Sequence, residues 1–271
     1  MLRDILVHVD GSDAGRRRVQ FAVSLAERTD ARLSGLHVTP PAEVPIQVKP
    51  SLVSRTADEI SMNLELDAHA SAVMFKEEAE HLLPDASWSK VTGDIINGVC
   101  DKARYADLVI LGQYESQGRP ENHPLPTAHS VISRCGRPVL VVPSSVCASA
   151  LTRVAVVWDR SREAIRTIHD ALPLLALSQS VQIVSVNSTS DVDSEVDAES
   201  LLIHLANHGI QVEQHIVQIP EHADLRRQIE DVNYDLLVIG GSSSPAWVDF
   251  LFGDVTQPIL LSSTIPMFLS Q

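Results

Sequence analysis

Asp4-Ile5-Leu6-Val7-His8-Val9-Asp10-Gly11-Ser12 and Arg153-Val154-Ala155-Val156-Val157-Trp158-Asp159-Arg160-Ser161 are two copies of one pattern, a continuous apolar run that stops at Asp-X-Ser. Short Val/Ile/Leu runs of this kind suit strands buried on both faces. The serine that follows supplies an N-cap for a helix. Two further segments recur in the same order. Ala106-Asp107-Leu108-Val109-Ile110-Leu111-Gly112 answers to Tyr234-Asp235-Leu236-Leu237-Val238-Ile239-Gly240, and Arg137-Pro138-Val139-Leu140-Val141-Val142 answers to Ile265-Pro266-Met267-Phe268-Leu269-Ser270. Asp10 and Asp159 are 149 positions apart, whereas Asp107 and Asp235 are 128 apart, so the first copy carries 21 surplus residues before Asp107. A duplicated unit with an insertion in its first copy is the simplest account.

Working outward, strands and helices alternate through both copies. Val19, Ala22, Val23 and Ala26 fall at i, i+3, i+4 and i+7 and predict a helix after the cap Ser12. A strand at Leu33 to Val38 follows, then a loop over Thr39 to Lys49 containing Pro40, Pro41 and Pro45. One long or broken helix is expected over Val53 to Leu83. Strands at 87–91, 108–111 and 139–142 alternate with helices at 95–103 and 128–135. The second copy is expected to place strands near 153–158, 181–186, 212–217, 236–239 and 266–269. The pattern gives an α/β class twice over, with parallel sheets covered by helices on both faces. The units are read as 1–148 and 149–271, with the surplus at 39–83 as an arm outside the first sheet. That arm offers an apolar face of Ile60, Leu64, Ala68, Ala72 and Phe75.

Composition narrows the function. The 271 residues carry a net charge of −14; residues 1–148 hold 15 Lys+Arg against 19 Asp+Glu, and residues 149–271 hold 6 arginines, no lysine and 16 acids. A nucleic-acid groove needs clustered cations to displace counterions, and this balance excludes nucleic acid as the expected partner. No apolar stretch approaches the ~20 residues of a membrane span, and the N-terminus enters a strand pattern at once, so a cytoplasmic location is expected. Cys100, Cys135 and Cys147 are odd in number and lack CxxC spacing, which points to idle thiols. His204 and His208 are spaced i, i+4 but have no third ligand at a telling distance, so no metal site is read from the sequence. His123 and His129 flank a Pro-rich loop that is read as solvated.

An apolar strand ending Val-Asp-Gly-Ser, a helix, a fourth strand ending in Gly and a closing Pro-Val-Leu-Val-Val strand resemble the universal stress protein family. The duplication is similar to its tandem members. The resemblance spans essentially the whole chain; Trp158-Asp159-Arg160-Ser161-Arg162-Glu163-Ala164 and His169-Asp170-Ala171-Leu172-Pro173-Leu174-Leu175 carry it in the second copy. It implies Rossmann-like, doubly wound domains with strand order 3-2-1-4-5. It also implies a pseudo-dimer in which the closing strands pair edge to edge, with further homo-oligomerisation open. In the family, the strand-1 aspartates, here Asp10 and Asp159, and the strand-2 ends, here Val38 and Val186, face a nucleoside.

ATP-binding members carry Gly-X2-Gly-X9-Gly-Ser/Thr after strand 4, where glycines let amide groups approach the phosphates. In the second copy that register holds Gly240, Ser243, Gly253 and Asp254, followed by Thr256. Ser243 replaces a glycine, Pro245 removes an N–H, and Asp254 places a carboxylate where a hydroxyl would meet phosphate. Two like charges at ~4 Å and an effective dielectric of ~20 repel by about 4 kcal/mol. The first copy keeps Gly112, but Gln113 to Pro126 does not fit the motif's spacing. No bound cofactor is therefore expected, ATP remaining the candidate if one binds, and the partner is expected to be a protein or a small molecule. The group Trp247, Phe250, Leu251 and Phe252 is read as core or interface packing.

No catalytic residue is assigned. A receiver domain would need a lysine after the closing strand, and none occurs within 139–145 or 267–271. Neither Gly-X4-Gly-Lys-Ser/Thr nor Gly-X-Ser-X-Gly is present. The expected function is a stress-response or regulatory binding module. The enzyme-side alternative is an adenine-nucleotide sensor with weak binding or slow hydrolysis through Asp159, Gly240, Gly253 and Thr256.

Overall fold

A computed structural model describes residues 2–41, 53–113, 128–146, 148, 151–187, 192–213, 217–220, 234–240 and 263–271. In chain order the first half holds β1 (Asp4–His8), α1 (Asp13–Thr29), β2 (Arg32–Thr39), α2 (Val53–Ala79), β3 (Ser87–Thr92), α3 (Ile95–Ala103), β4 (Leu108–Gly112), α4 (Ala128–Cys135) and β5 (Val139–Val142). The second half holds β6 (Arg153–Trp158), α5 (Arg162–Leu175), β7 (Ser180–Asn187), α6 (Val192–Asn207), β8 (Val217–Pro220), β9 (Leu236–Gly240) and β10 (Met267–Ser270).

All ten strands belong to one sheet in the order β3-β2-β1-β4-β5-β10-β9-β6-β7-β8. Each half is thus a parallel 3-2-1-4-5 sheet, and the two meet through an antiparallel β5–β10 pair. In that pair Leu140 lies opposite Phe268, its own counterpart at the 128-residue offset, while Val141 faces Met267 and Val139 faces Leu269. A pairing of equivalent residues in opposite directions is the signature of an approximate twofold axis. It also converts two exposed sheet edges into one internal ladder.

The repeated motifs fix equal register in both halves. Ile5 aligns with Leu108 and Val154 with Leu236, positions related by the 149 and 128 offsets. The aspartate that opens each fourth strand ties the register: Asp107 Oδ2 accepts the backbone N–H groups of Arg3 (2.7 Å) and Asp4 (3.0 Å). Asp235 Oδ2 does the same for Thr152 (2.8 Å) and Arg153 (2.9 Å). Ser12 and Ser161 cap α1 and α5 alike, each accepting from the amide three residues on, Gly15 or Ala164, at 3.0 Å.

The core continues across the junction on both faces. Val7, Val9, Leu33, Phe75, Leu140, Phe268 and Val156 share one apolar cluster, whose helical members come from α1, α2, α5 and α6. Leu6, Leu36, Val139, Val141, Met267 and Leu269 share the other, with α3 and α4. Gly98 lets α3 lie close on β2, since a Cβ there would stand 3.0 Å from Val38 Cγ1. Arg28 in α1 donates to the carbonyl of its counterpart Leu177 at 3.1 Å, a further tie near the twofold.

Two expectations are corrected. Among the described residues the third strand of the second half is Val217–Pro220, later than the expected 212–217, and Val212 makes an isolated bridge to Val181. Val212 is flanked by Gln211 and Glu213, which gives no apolar run to seat a strand. The helix expected as an arm over 39–83 is instead a layer of the first domain, ending at Ala79. Leu64, Ala68, Ser71, Phe75 and Ala79 are buried, with Phe75 packed on Gly35 and Trp88. Its counterpart α6 runs for 16 residues against the 27 of α2, and much of the extra length is an exposed N-terminal overhang.

Candidate functional site

The carboxyl ends of β1, β2 and β4 meet where strand order reverses, the usual ligand edge of a doubly wound sheet. In the first half the strand-1 end of that edge is bound up by the protein's own side chains. Asp10, 9% exposed, extends from the end of β1; its Oδ2 accepts from Arg18 Nη2 at 2.7 Å, and its Oδ1 accepts the Ser12 N–H at 3.1 Å and the Ser12 hydroxyl. Arg18 is only 2% exposed and also donates Nε to the His8 carbonyl at 2.7 Å. Gly15 makes the arrangement possible, because a Cβ there would lie 2.2 Å from the Asp10 carbonyl oxygen.

Helix α2 closes the same edge from above. A Cβ on Gly11 would stand 2.8 Å from Asp67 Oδ1 and 3.7 Å from Ser71 Oγ. His37, buried on β2, bonds through Nδ1 to the Val9 carbonyl at 3.0 Å, stacks on Trp88 and lies 4.0 Å from Asp67 Oδ2. Val38 is buried against α3, and Gly112 is buried at the end of β4. Among the described residues, Thr39 Oγ1 and Ser71 Oγ are buried without a hydrogen-bond partner, as is Trp158 Nε1 at the end of β6 in the second half. Orphaned polar atoms of this kind are uncommon in folded proteins.

The second half is built differently at the equivalent positions. Asp159 is half-buried; its Oδ1 accepts the Ser161 N–H at 2.9 Å, and among the described residues it has no arginine or lysine partner. The position of Arg18 is taken by Thr167, whose hydroxyl donates to the Ser270 carbonyl at 3.0 Å. Arg160 stands where the first half has Gly11 and adopts a left-handed φ of 63°. Gly240 is required by packing: its Cβ would meet the Ala164 amide nitrogen at 2.8 Å. Val186 lies in β7 opposite Ile219. Gly253 and Thr256 lie outside the described residues, as do Ser243, Pro245, Asp254, His123 and the Trp247 group.

Against the ATP motif, the first half does not fit: the strand-1 carboxylate is consumed by Arg18 and Ser12, and a second carboxylate, Asp67, sits over Gly11. In the second half, Asp159 and Gly240 stand at the carboxyl ends of β6 and β9. Cys100 and Cys135 are unbridged, and burial pushes both thiols up, in keeping with idle groups.

The comparisons with known proteins agree with this architecture. The universal stress protein family model matches residues 1–143 and, a second time, residues 144–270. The chain belongs to the universal stress protein family, in its tandem form. A curated relative, universal stress protein Slr1230 of Synechocystis, is 24% identical over 98% of this chain and 99% of its own length. A universal stress protein of Archaeoglobus fulgidus shares the fold with a TM-score of 0.68 at 17% identity, covering 98% of this chain and 97% of the other. A protein of unknown function from Pseudomonas aeruginosa gives a TM-score of 0.56 at 13% identity over 99% of this chain and 92% of the other. Among the described residues no helix is long and apolar enough to cross a membrane.

The sequence did not reveal Arg18. It stands in the run Arg16-Arg17-Arg18, which reads as a solvated basic patch, although it is three residues after Gly15 and four before Ala22 on the inward stripe. That stripe was the available signal. Nor did the sequence reveal His169 beside His204, since 35 positions separate them.

Proposed function

We propose that this tandem universal stress protein is a cytoplasmic stress-response or regulatory binding module that does not turn over ATP, with a protein or small molecule as its partner. The observation that carries this reading is the buried Asp10–Arg18 pair. A carboxylate that must recognise a ligand needs an accessible oxygen, and here the group is buried, both oxygens accept internal hydrogen bonds, and α2 closes the loop above. The unpaired Thr39 Oγ1 and Ser71 Oγ support a small polar occupant of that edge in place of a nucleotide. In the second half the Ser243 and Asp254 substitutions argue against phosphate binding on electrostatic grounds.

A second reading, an adenine-nucleotide sensor confined to the second half, is favoured by Asp159, which lacks the internal arginine. Calorimetry with ATP and magnesium separates the two. The expected outcome is no dissociation constant below about 100 μM, or roughly −5.5 kcal/mol. Micromolar binding abolished by Asp159→Ala would replace the first reading with the second. The double change Ser243→Gly, Asp254→Ser is expected to increase ATP affinity.

A further inference from the structure

Helix α2 carries two apolar faces. The inward one, through Leu64, Ala68, Phe75 and Ala79, covers the first sheet at β2 and β3. Along its seam with α1, Arg16 holds Glu77 and Glu78; the α5–α6 seam of the second half carries His169 and His204 instead. The other face points away from the sheet, where Met62 is 66% exposed, Leu66 56% and Val73 42%. With His69, also exposed, these positions step by four, three and four. At 3.6 residues per turn they lie within about 60° of arc, opposite the buried stripe. That spacing is the one through which two helices pack along a seam, and a row of exposed apolar side chains marks an interaction site where a single one does not.

The stripe complements itself when reversed. In an antiparallel pair, setting Leu66 opposite His69 of a second copy also sets Met62 opposite Val73 and Glu59 opposite Lys76. Each of these contacts occurs twice about the twofold axis, so the apolar middle is flanked at both ends by an acid facing a base. Glu65 falls opposite Ala72 and Asn63 opposite Ala70, so between Glu59 and Lys76 no like charges are opposed. A parallel pair would instead set Glu59 against Glu59 and Lys76 against Lys76, which selects the antiparallel arrangement. Of the acids that border the stripe, Glu65 is matched within the chain by Lys90 at 2.6 Å and Glu77 by Arg16 at 3.1 Å.

We propose that the outer face of α2 is a homodimer interface, on which a second copy of this chain lays its own α2 antiparallel over Met62, Leu66 and Val73. The overlap from Glu59 to Lys76 is about 26 Å of helix, which puts the contact at the small end of specific interfaces. Two chains of net charge −14 also repel, so the association is weak and reversible.

The test is sedimentation velocity of the full chain across a concentration series at neutral pH. A monomer–dimer equilibrium with a dissociation constant on the order of 10 μM is expected. Leu66→Glu puts a carboxylate in the middle of the stripe and should weaken the dimer by about tenfold or more. Ile203→Glu, at a comparably exposed apolar residue on α6, is the control and should change nothing. Glu59→Lys opposes two lysines and Lys76→Glu opposes two glutamates, so each alone should weaken the dimer by about fivefold. Mixing these two variants re-creates both opposite-charge contacts and should return the parent affinity. Matched far-ultraviolet circular dichroism would show that the variants are folded. The proposal is overturned if the chain stays monomeric throughout the series, if Leu66→Glu dimerises as the parent does, if Ile203→Glu disrupts the dimer equally, or if the mixed charge variants associate no better than either alone.

Discussion

The two halves share strand order, register, helix caps and the aspartate that sets the fourth strand, yet they treat the aspartate after their first strand in opposite ways. In the first half Asp10 is buried against Arg18 beneath α2; in the second Asp159 is half-exposed and Thr167 stands in the arginine's place. The contrast separates what the fold needs from what a ligand site needs. Register depends on Asp107 and Asp235, which are retained in both copies. The sheet keeps the same order and register in both halves although, among the described residues, Asp159 has no arginine or lysine partner. The Arg18–Asp10 couple is therefore a commitment made by one copy alone.

Breaking that couple should give the largest difference between the halves. Arg18→Met leaves Asp10 buried without its cation, a situation that typically costs about 3–5 kcal/mol. The change Thr167→Val at the equivalent position removes one hydrogen bond and should cost about 1 kcal/mol. Urea unfolding of both variants tests the pair, and Asp10→Asn added to Arg18→Met should recover part of the loss. Equal costs at the two positions would mean that the ion pair does not distinguish the copies.

A smaller and equal effect is expected where the halves agree. Asp107→Ala and Asp235→Ala each strip two backbone N–H groups of their acceptor, at the start of β1 and of β6. Each should cost about 1–3 kcal/mol, by matching amounts. A large asymmetry between them would show that one half governs the stability of the joint sheet.

The elements legible in the sequence are those whose physics is local. The apolar runs of β1, β4, β6 and β9 and the caps Ser12 and Ser161 follow from periodicity, capping and the repeat, whereas the pairing of the closing strands is implied by the family resemblance. β8 escaped because Gln211-Val212-Glu213 offers no continuous apolar run, so its position is set by pairing with β7. The layer role of α2 escaped because the prolines before it and the surplus length suggested an arm, while its lower half carries the same inward stripe as any covering helix. At the candidate site, Asp10, Val38, Gly112, Asp159 and Gly240 fall at the strand ends their motifs imply. Their chemistry did not follow from the motif, since whether a carboxylate is open or occupied depends on a residue eight positions away on a helix.

The loop after the first strand offers a finer comparison. Arg160 pays a left-handed backbone penalty that its counterpart does not incur, because Gly11 is needed for space under Asp67 and not for its φ. Arg160→Gly should gain up to about 1 kcal/mol, less than the intrinsic strain because glycine also loosens the unfolded chain. The reverse change in the first half, Gly11→Ala, should lose stability, since its Cβ would press on Asp67. If both substitutions destabilise, space governs both loops.

The smallest expected effect lies at the helix seam and is read against pH. His204 in the folded chain has a depressed pKa, from burial first and then from His208 and His169. The unfolded chain therefore binds more protons than the folded one between the depressed value and the usual imidazole value near 6.5. Stability should be level above about pH 6.5 and fall as the pH drops through that window, because the unfolded state then gains the proton first. Arg16, Glu77 and Glu78 give the first half no such imidazole at its seam. The variant His204→Asn should flatten the urea midpoint between pH 7 and 5.5 relative to the parent, while His81→Ala should leave the parent's slope in place. An unchanged slope in His204→Asn would assign the dependence to other histidines, and the seam would then differ between the halves in packing alone.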